Sequence, residues 1–211
     1  MSDPVLRDEY GYHHGEREMQ QRFDSARLAD RLAEVTKHAF ISDSDRRFIE
    51  SRDHFFLATA DEGGNLDCSY KGGDPGFVRV IDDETLAFPN YDGNGTFMST
   101  GNILTHPKVG MLFIDWEHQW RIRLNGTASI DFNDPLMKEF PEAQFIVRVR
   151  AEEVFPNCPR YIHKMQLVER SAFVPRADCQ TPEPEWKDHF EDVLPAEQQS
   201  RRAARRKAGA G

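Results

Sequence analysis

Long apolar runs are missing from this sequence. Nowhere does it approach the roughly 20 consecutive apolar residues that a membrane-crossing helix needs, and the opening MSDPVLRDEYGYHHGERE carries no apolar core of the secretory kind. Cysteine is scarce: Cys68, Cys158 and Cys179 stand far apart and odd in number, which argues against a disulfide framework or a zinc site and fits a reducing compartment. An excess of positive charge is lacking too. The formal net charge of -9 gives nucleic acid or anionic lipid no long-range attraction. The expectation is a cytoplasmic protein with no membrane and no nucleic-acid partner. The sequence also has no nucleophile motif, no catalytic carboxylate pair and no Walker loop. His13 and His14 beside Glu16 and Glu18 lack the ligand spacings of known sites, so no metal is expected.

What is present falls into three textures. From Glu16 to His38 a charged stretch carries Met19, Phe23, Ala26, Leu28, Leu32 and Val35 at near-helical spacing, which predicts one or two amphipathic helices. A further short helix is expected with Ser42 or Ser44 as N-cap and an end near Arg52. From Phe55 the chain turns to short β-type runs separated by Gly, Asn and Asp. FFLATA and LDCSYK flank the turn DEGGN, FVRVI and TLAFP form a second pair, and VGMLFID and WRIRLNGTASI a third. TFMSTGNILTH lies between the second and third pairs as a crossover helix, and AQFIVRVRAEEVFP alternates as a closing strand. NCPRYIHKMQLVER reads as a short helix with an extended piece, and the Pro-rich linker after it leads to a basic tail, RRAARRKAGAG, expected as a frayed or disordered helix end. The predicted organisation is therefore an N-terminal helical extension over 1–53, a barrel domain over 54–170, and a Pro-rich extension with basic tail over 171–211.

Within the barrel region the motifs KGG, PGFVRV, LAFPNYDGN with a following GNI, and NCPRYI occur in order. The segment from Phe55 to Leu167 resembles the pyridoxamine 5'-phosphate oxidase-like family of split barrels that bind flavin mononucleotide (FMN). The resemblance implies a mostly β, α+β fold: a six- or seven-stranded antiparallel split β-barrel with a crossover helix and N- and C-terminal helical extensions. It also implies a homodimer whose FMN sites lie between subunits, and a small-molecule oxidoreductase. The absence of a catalytic constellation fits that expectation, because the flavin ring carries the chemistry while the protein binds and orients it.

FMN brings a dianionic phosphate, a polyol chain and a planar ring, so its pocket calls for cations, hydroxyls or amides, and apolar walls. Lys71 ends the second strand, with Ser69 on the same face and Gly72 and Gly73 beyond it for close approach of backbone amides. The family's fourth strand passes beside the flavin, which assigns Phe88, Pro89 and Asn90 to its ring or polyol. Asn94 and Thr96 precede the crossover helix, whose free amides favour a phosphate, and Ser99 and Asn102 sit on its first turns.

One departure matters. Authentic pyridoxamine phosphate oxidases carry an arginine–lysine pair in the phosphate turn, whereas this chain has NGTF. Lys71, Arg121, Arg123 and Arg160 are the candidate replacements, with Arg121 also placed to meet the flavin edge, and Tyr161 beside Arg160 is a candidate to reach a partner's flavin. The alternative for the Arg121 and Arg123 pair is salt bridges with Asp115, Glu117 or another acid on the barrel surface. Cys158 is expected as a buried structural thiol. Competing functional readings are a flavin-sequestering module without turnover, a deazaflavin site, and a haem site using His106, His118 or His163. Pyridoxamine phosphate oxidase activity itself is disfavoured by the altered turn.

Overall fold

A computed structural model describes residues 6–209. The charged N-terminal stretch forms two helices, α1 His14–Arg22 and α2 Ala26–Thr36, broken where Asp24 takes a left-handed conformation at φ 49°. His13 is the N-cap of α1 in a reciprocal box with Glu16, so this histidine has a structural task. Helix α3, Asp43–Glu50, starts at Ser42 through the same device with Asp45, and its Ile49 is fully buried.

The β-type runs become seven strands: β1 His54–Ala60, β2 Leu66–Gly72, β3 Arg79–Val80, β4 Thr85–Asn90, β5 Lys108–Asp115, β6 Trp120–Asp131 and β7 Phe145–Pro156. They form one antiparallel sheet in the order β2-β1-β5-β6-β7-β4-β3, not closed, with helix α4, Met98–Thr105, crossing from β4 to β5. This is the α+β split-barrel class. Curvature comes from long β6 and β7, which shift register at Asn125/Gly126. A Cβ on Gly126 would lie 2.3 Å from the Arg150 carbonyl oxygen, so only glycine lets the strands approach there. The interior is aromatic: Phe55 packs against Phe88, Phe113 and Phe77 at ring distances of 4.9, 5.3 and 5.8 Å.

Two elements differ from expectation. The run FVRVI pairs only at Arg79 and Val80, because Glu50 of α3 takes the Val80 amide and Arg46 donates to the Val80 carbonyl, capping the edge. Residues 157–170 hold a turn at Arg160 and Tyr161 but no helix. Arg121 secures their start by donating to the Cys158 carbonyl at 2.9 Å, and Gln119 donates to the Ile162 carbonyl at 2.6 Å. Side-chain anchors thus replace the intrahelical ladder.

The chain divides into two compact units, Met1–Val168 and Glu169–Gly211. In the second, a 3-10 stretch Glu185–Val193 precedes α5, Ala196–Gly209, so the basic tail is helical as far as it is described. Several of its charges are met internally: Arg202 is buried against Glu183 and Asp188, Arg201 meets Glu197, and Arg206 meets Glu191. Among the described residues no helix is long and apolar enough to cross a membrane.

Candidate functional site

Strand β2 is an edge strand paired only to β1. Its alternation sends Asp67, Ser69 and Lys71 to the inner side, where α4 and the loop after β4 cover them, while Leu66, Cys68 and Tyr70 face outward and are exposed. The result is a cleft of about 340 Å³ lined by β2, by residues 90–97 and by the first turn of α4.

The cleft brings together six of the residues singled out from the sequence: Ser69, Lys71, Asn90, Asn94, Thr96 and Ser99. Besides Gly95 of the same turn, it adds six that sequence reasoning missed, namely Asp67, Tyr91, Gly93, Phe97, Met98 and Thr100. Asp67 was detectable, since it lies two residues before Ser69 on the same strand face. The others depended on how the loop folds.

The Lys71 ammonium makes no hydrogen bond or ion pair among the described residues. Burial pushes its ammonium below the ordinary lysine range, partly offset by the negative charge of Asp67. An unpaired, half-buried cation beside a cleft calls for an anion. The N-terminus of α4 answers the same need. Phe97 begins it in a left-handed conformation, φ 49° and ψ 30°, with no side-chain cap, which leaves the amides of Met98, Ser99 and Thr100 without intrahelical acceptors. Gly93 and Gly95 have open space where a Cβ would stand, so backbone is presented to the cleft directly. Phe97 and Met98 supply exposed apolar surface. Burial, with the charge of Asp74, pushes the Tyr91 phenol up to about 12, so it stays protonated at neutral pH.

The remaining candidates lie elsewhere. Phe88 is a core residue packed on Phe55, and Pro89 is buried within β4. Gly72 is paired with His54, and its Cβ would strike the Tyr70 ring at 2.7 Å. Gly73 donates to the Asp53 carbonyl, and its Cβ would lie 2.3 Å from Phe77, so packing rather than an anion explains that glycine. Asn102 points its amide to Thr59 at 3.0 Å. Arg121 is held by Cys158, and Arg123 lies exposed with its guanidinium 5.8 Å from the Phe155 ring centre. Neither forms the alternative salt bridge with Asp115, Glu117 or another acid among the described residues. Asp115 instead joins Arg52 and His118, and these partners together with the His118 amide outweigh its burial and hold its carboxyl below the ordinary range.

Arg160 and Tyr161 are exposed in their turn, away from the cleft lining. Cys158 is exposed, which corrects the expectation of a buried thiol: the segment has no helix to fold it under. None of His106, His118 and His163 lines the cleft.

A family model described as pyridoxamine 5'-phosphate oxidase matches residues 41–172. Curated proteins gave no match. Among solved structures, a putative pyridoxamine 5'-phosphate oxidase from Lactobacillus delbrueckii is 26% identical, covering 57% of this chain and 99% of that one at a TM-score of 0.46. An FMN-binding protein from Syntrophomonas wolfei is 15% identical, with coverages of 66% and 97% and a TM-score of 0.44. HutZ, the haem storage protein of Vibrio cholerae, is 18% identical, with coverages of 55% and 93% and a TM-score of 0.41.

Proposed function

The chain belongs to the pyridoxamine 5'-phosphate oxidase family, and from that premise we propose that it is a flavoprotein that holds FMN non-covalently in the cleft beneath α4 and oxidises or reduces a small molecule. The observation that carries this reading is Lys71: an ammonium without a partner, kept half-buried beside helix amides that also lack acceptors. A dianionic phosphate satisfies both at once. In this reading Lys71 and the amides of Met98, Ser99 and Thr100 hold the phosphate, Ser69 and Ser99 the polyol, and Phe97 and Met98 flank the ring. Asn94 shapes the turn by accepting from the Thr96 amide and hydroxyl at 3.0 and 2.7 Å.

The bound ring supplies the redox chemistry by taking up and returning electron pairs. The chain contributes position, a cation and a partly dry wall. A haem reading is weaker, since haem iron commonly takes a histidine and none lines this cleft.

The outward face of the same edge supports the homodimer. Leu66 is 85% and Tyr70 63% exposed, and Ala58 of β1 and Cys68 lie between them in register. A second copy seated there would cover an apolar surface that water otherwise meets. The three free, exposed cysteines support a reducing, cytoplasmic setting.

The deciding experiment is the visible spectrum of freshly purified protein, with mass analysis of what it releases on denaturation. A flavin spectrum and released FMN are expected; colourless protein that takes up no added FMN at micromolar concentration would refute the assignment. Reduction of the bound flavin, followed by a panel of acceptors and nicotinamide donors, then separates an oxidoreductase from a flavin-holding module.

A further inference from the structure

The serine and threonine hydroxyls of the cleft are already committed as donors. Ser99 Oγ donates to Asp67 Oδ2 at 2.7 Å, and Ser69 Oγ lies 2.7 Å from Ser99 Oγ. A hydroxyl owns one proton and a carboxylate only accepts, so the Ser69–Ser99 contact must be donated by Ser69. Thr96 spends its proton on Asn94 and Thr100 on the Phe97 carbonyl at 3.2 Å. All four aliphatic hydroxyls lining the cleft are therefore turned away from it as donors. What they offer a ligand is lone pairs.

The donors still free in the cleft are the Lys71 ammonium, the first amides of α4, the Asn94 side-chain amide and the Tyr91 phenol. The cleft is thus zoned, with one donor region fitted to an anion and one acceptor region fitted to groups that bring their own protons. Asp67 sets the second zone, because it fixes the direction of both serines, Ser99 on α4 directly and Ser69 on β2 through it, while making no salt bridge with the donor zone.

We propose that Asp67 is a positioning residue that makes the Ser69–Ser99 wall an acceptor surface selective for the hydroxyls of a polyol. This rests on the flavin reading above and deepens it by saying which part of the ligand that wall recognises. Without Asp67 both serine protons are free to swing into the cleft, and the preference for hydroxyl donors disappears. Sequence reasoning looked on this face for cations, hydroxyls and amides, yet an acid serves it for this reason.

The test uses uncharged probes, so that loss of the Asp67 charge does not confound it. Riboflavin carries the polyol and lumiflavin lacks it, and neither has a phosphate. Binding of each to the full-length chain stripped of bound small molecules is followed by quenching of flavin fluorescence. The native protein is expected to bind riboflavin about tenfold more tightly than lumiflavin, the effect of one or two hydrogen bonds to a charge-ordered acceptor. Asp67→Ala and Ser99→Ala should each bring that ratio to within about twofold of one, with lumiflavin affinity retained as the sign of an intact fold. Ser99→Ala severs the relay while keeping the carboxylate, so it decides the matter if Asp67→Ala fails to fold. A ratio that survives both variants, or a native ratio near one, overturns the inference and leaves the flavin reading standing. Failure of the native chain to bind FMN, riboflavin or lumiflavin removes both.

Discussion

The two strands of the first hairpin share one sheet face and use it in opposite ways. On β1 the inner positions Phe55, Leu57 and Thr59 are buried, and Phe55 sits at the centre of the aromatic core. Their partners in register on β2 are Lys71, Ser69 and Asp67, all polar and only partly covered. The difference is position in the sheet. β1 is flanked on both sides, by β2 and β5, and lies over the core; β2 is an edge whose inner face meets the start of α4 instead. A residue pattern of similar period thus makes a core on one strand and a polar cleft wall on the next. The lesson is that the edge of the sheet can carry a polar row at little expense to stability, because its inner face lies outside the core.

Substitutions along this hairpin test the contrast. Phe55→Ala should cost about 3–5 kcal/mol of folding stability through the cavity it leaves, measured by urea unfolding. A loss below about 1 kcal/mol would mean that β1 is not core. Gly73→Ala, at the point where β2 leaves the sheet, forces a methyl against Phe77 and should cost about 1–3 kcal/mol.

Lys71→Met should leave stability level or slightly higher, since it removes a partly desolvated ammonium, while FMN binds about 10- to 100-fold more weakly. Equal FMN affinity in that variant would move the phosphate elsewhere.

The titration of Lys71 gives a finer contrast. Its folded value lies below the unfolded one, so over that window the unfolded chain holds the proton more firmly and folding stability rises with pH. FMN binding should run the other way, weakening as pH climbs through the depressed lysine value, and Lys71→Met should flatten this dependence. Leu66→Lys, on the outward face, is expected to change unfolding free energy by no more than about 0.5 kcal/mol. Sedimentation should nonetheless show a shift from dimer to monomer, and an unaltered dimer would place the interface on another surface.

Strand periodicity and turn residues located all seven strands and the crossover helix, and a serine N-cap, Ser42 or Ser44, before an apolar pair located α3. These signals are local, as is the chemistry that makes them. The shortening of β3 was not legible, because Glu50 and Arg46 act on it across about 30 residues of sequence. Arg121 looked like a flavin or salt-bridge partner and turned out to hold the Cys158 carbonyl, a contact that needs β6 and the segment after β7 in place. About half of the cleft residues were found, Asn90 through the family resemblance and the others from strand-end and helix-start chemistry. Tyr91, Phe97, Met98 and Thr100 were missed because a loop's side chains are aimed by its tertiary surroundings.

Strand β2 marks the boundary most clearly. Its sequence LDCSYK determined a strand with one apolar and one polar row, since side chains alternate on any extended backbone. A strand read alone would turn Leu66, Cys68 and Tyr70 inward. The tertiary structure turned Asp67, Ser69 and Lys71 inward instead, because the register with β1 fixes which row shares the face of Phe55, and one residue of slip would have exchanged them.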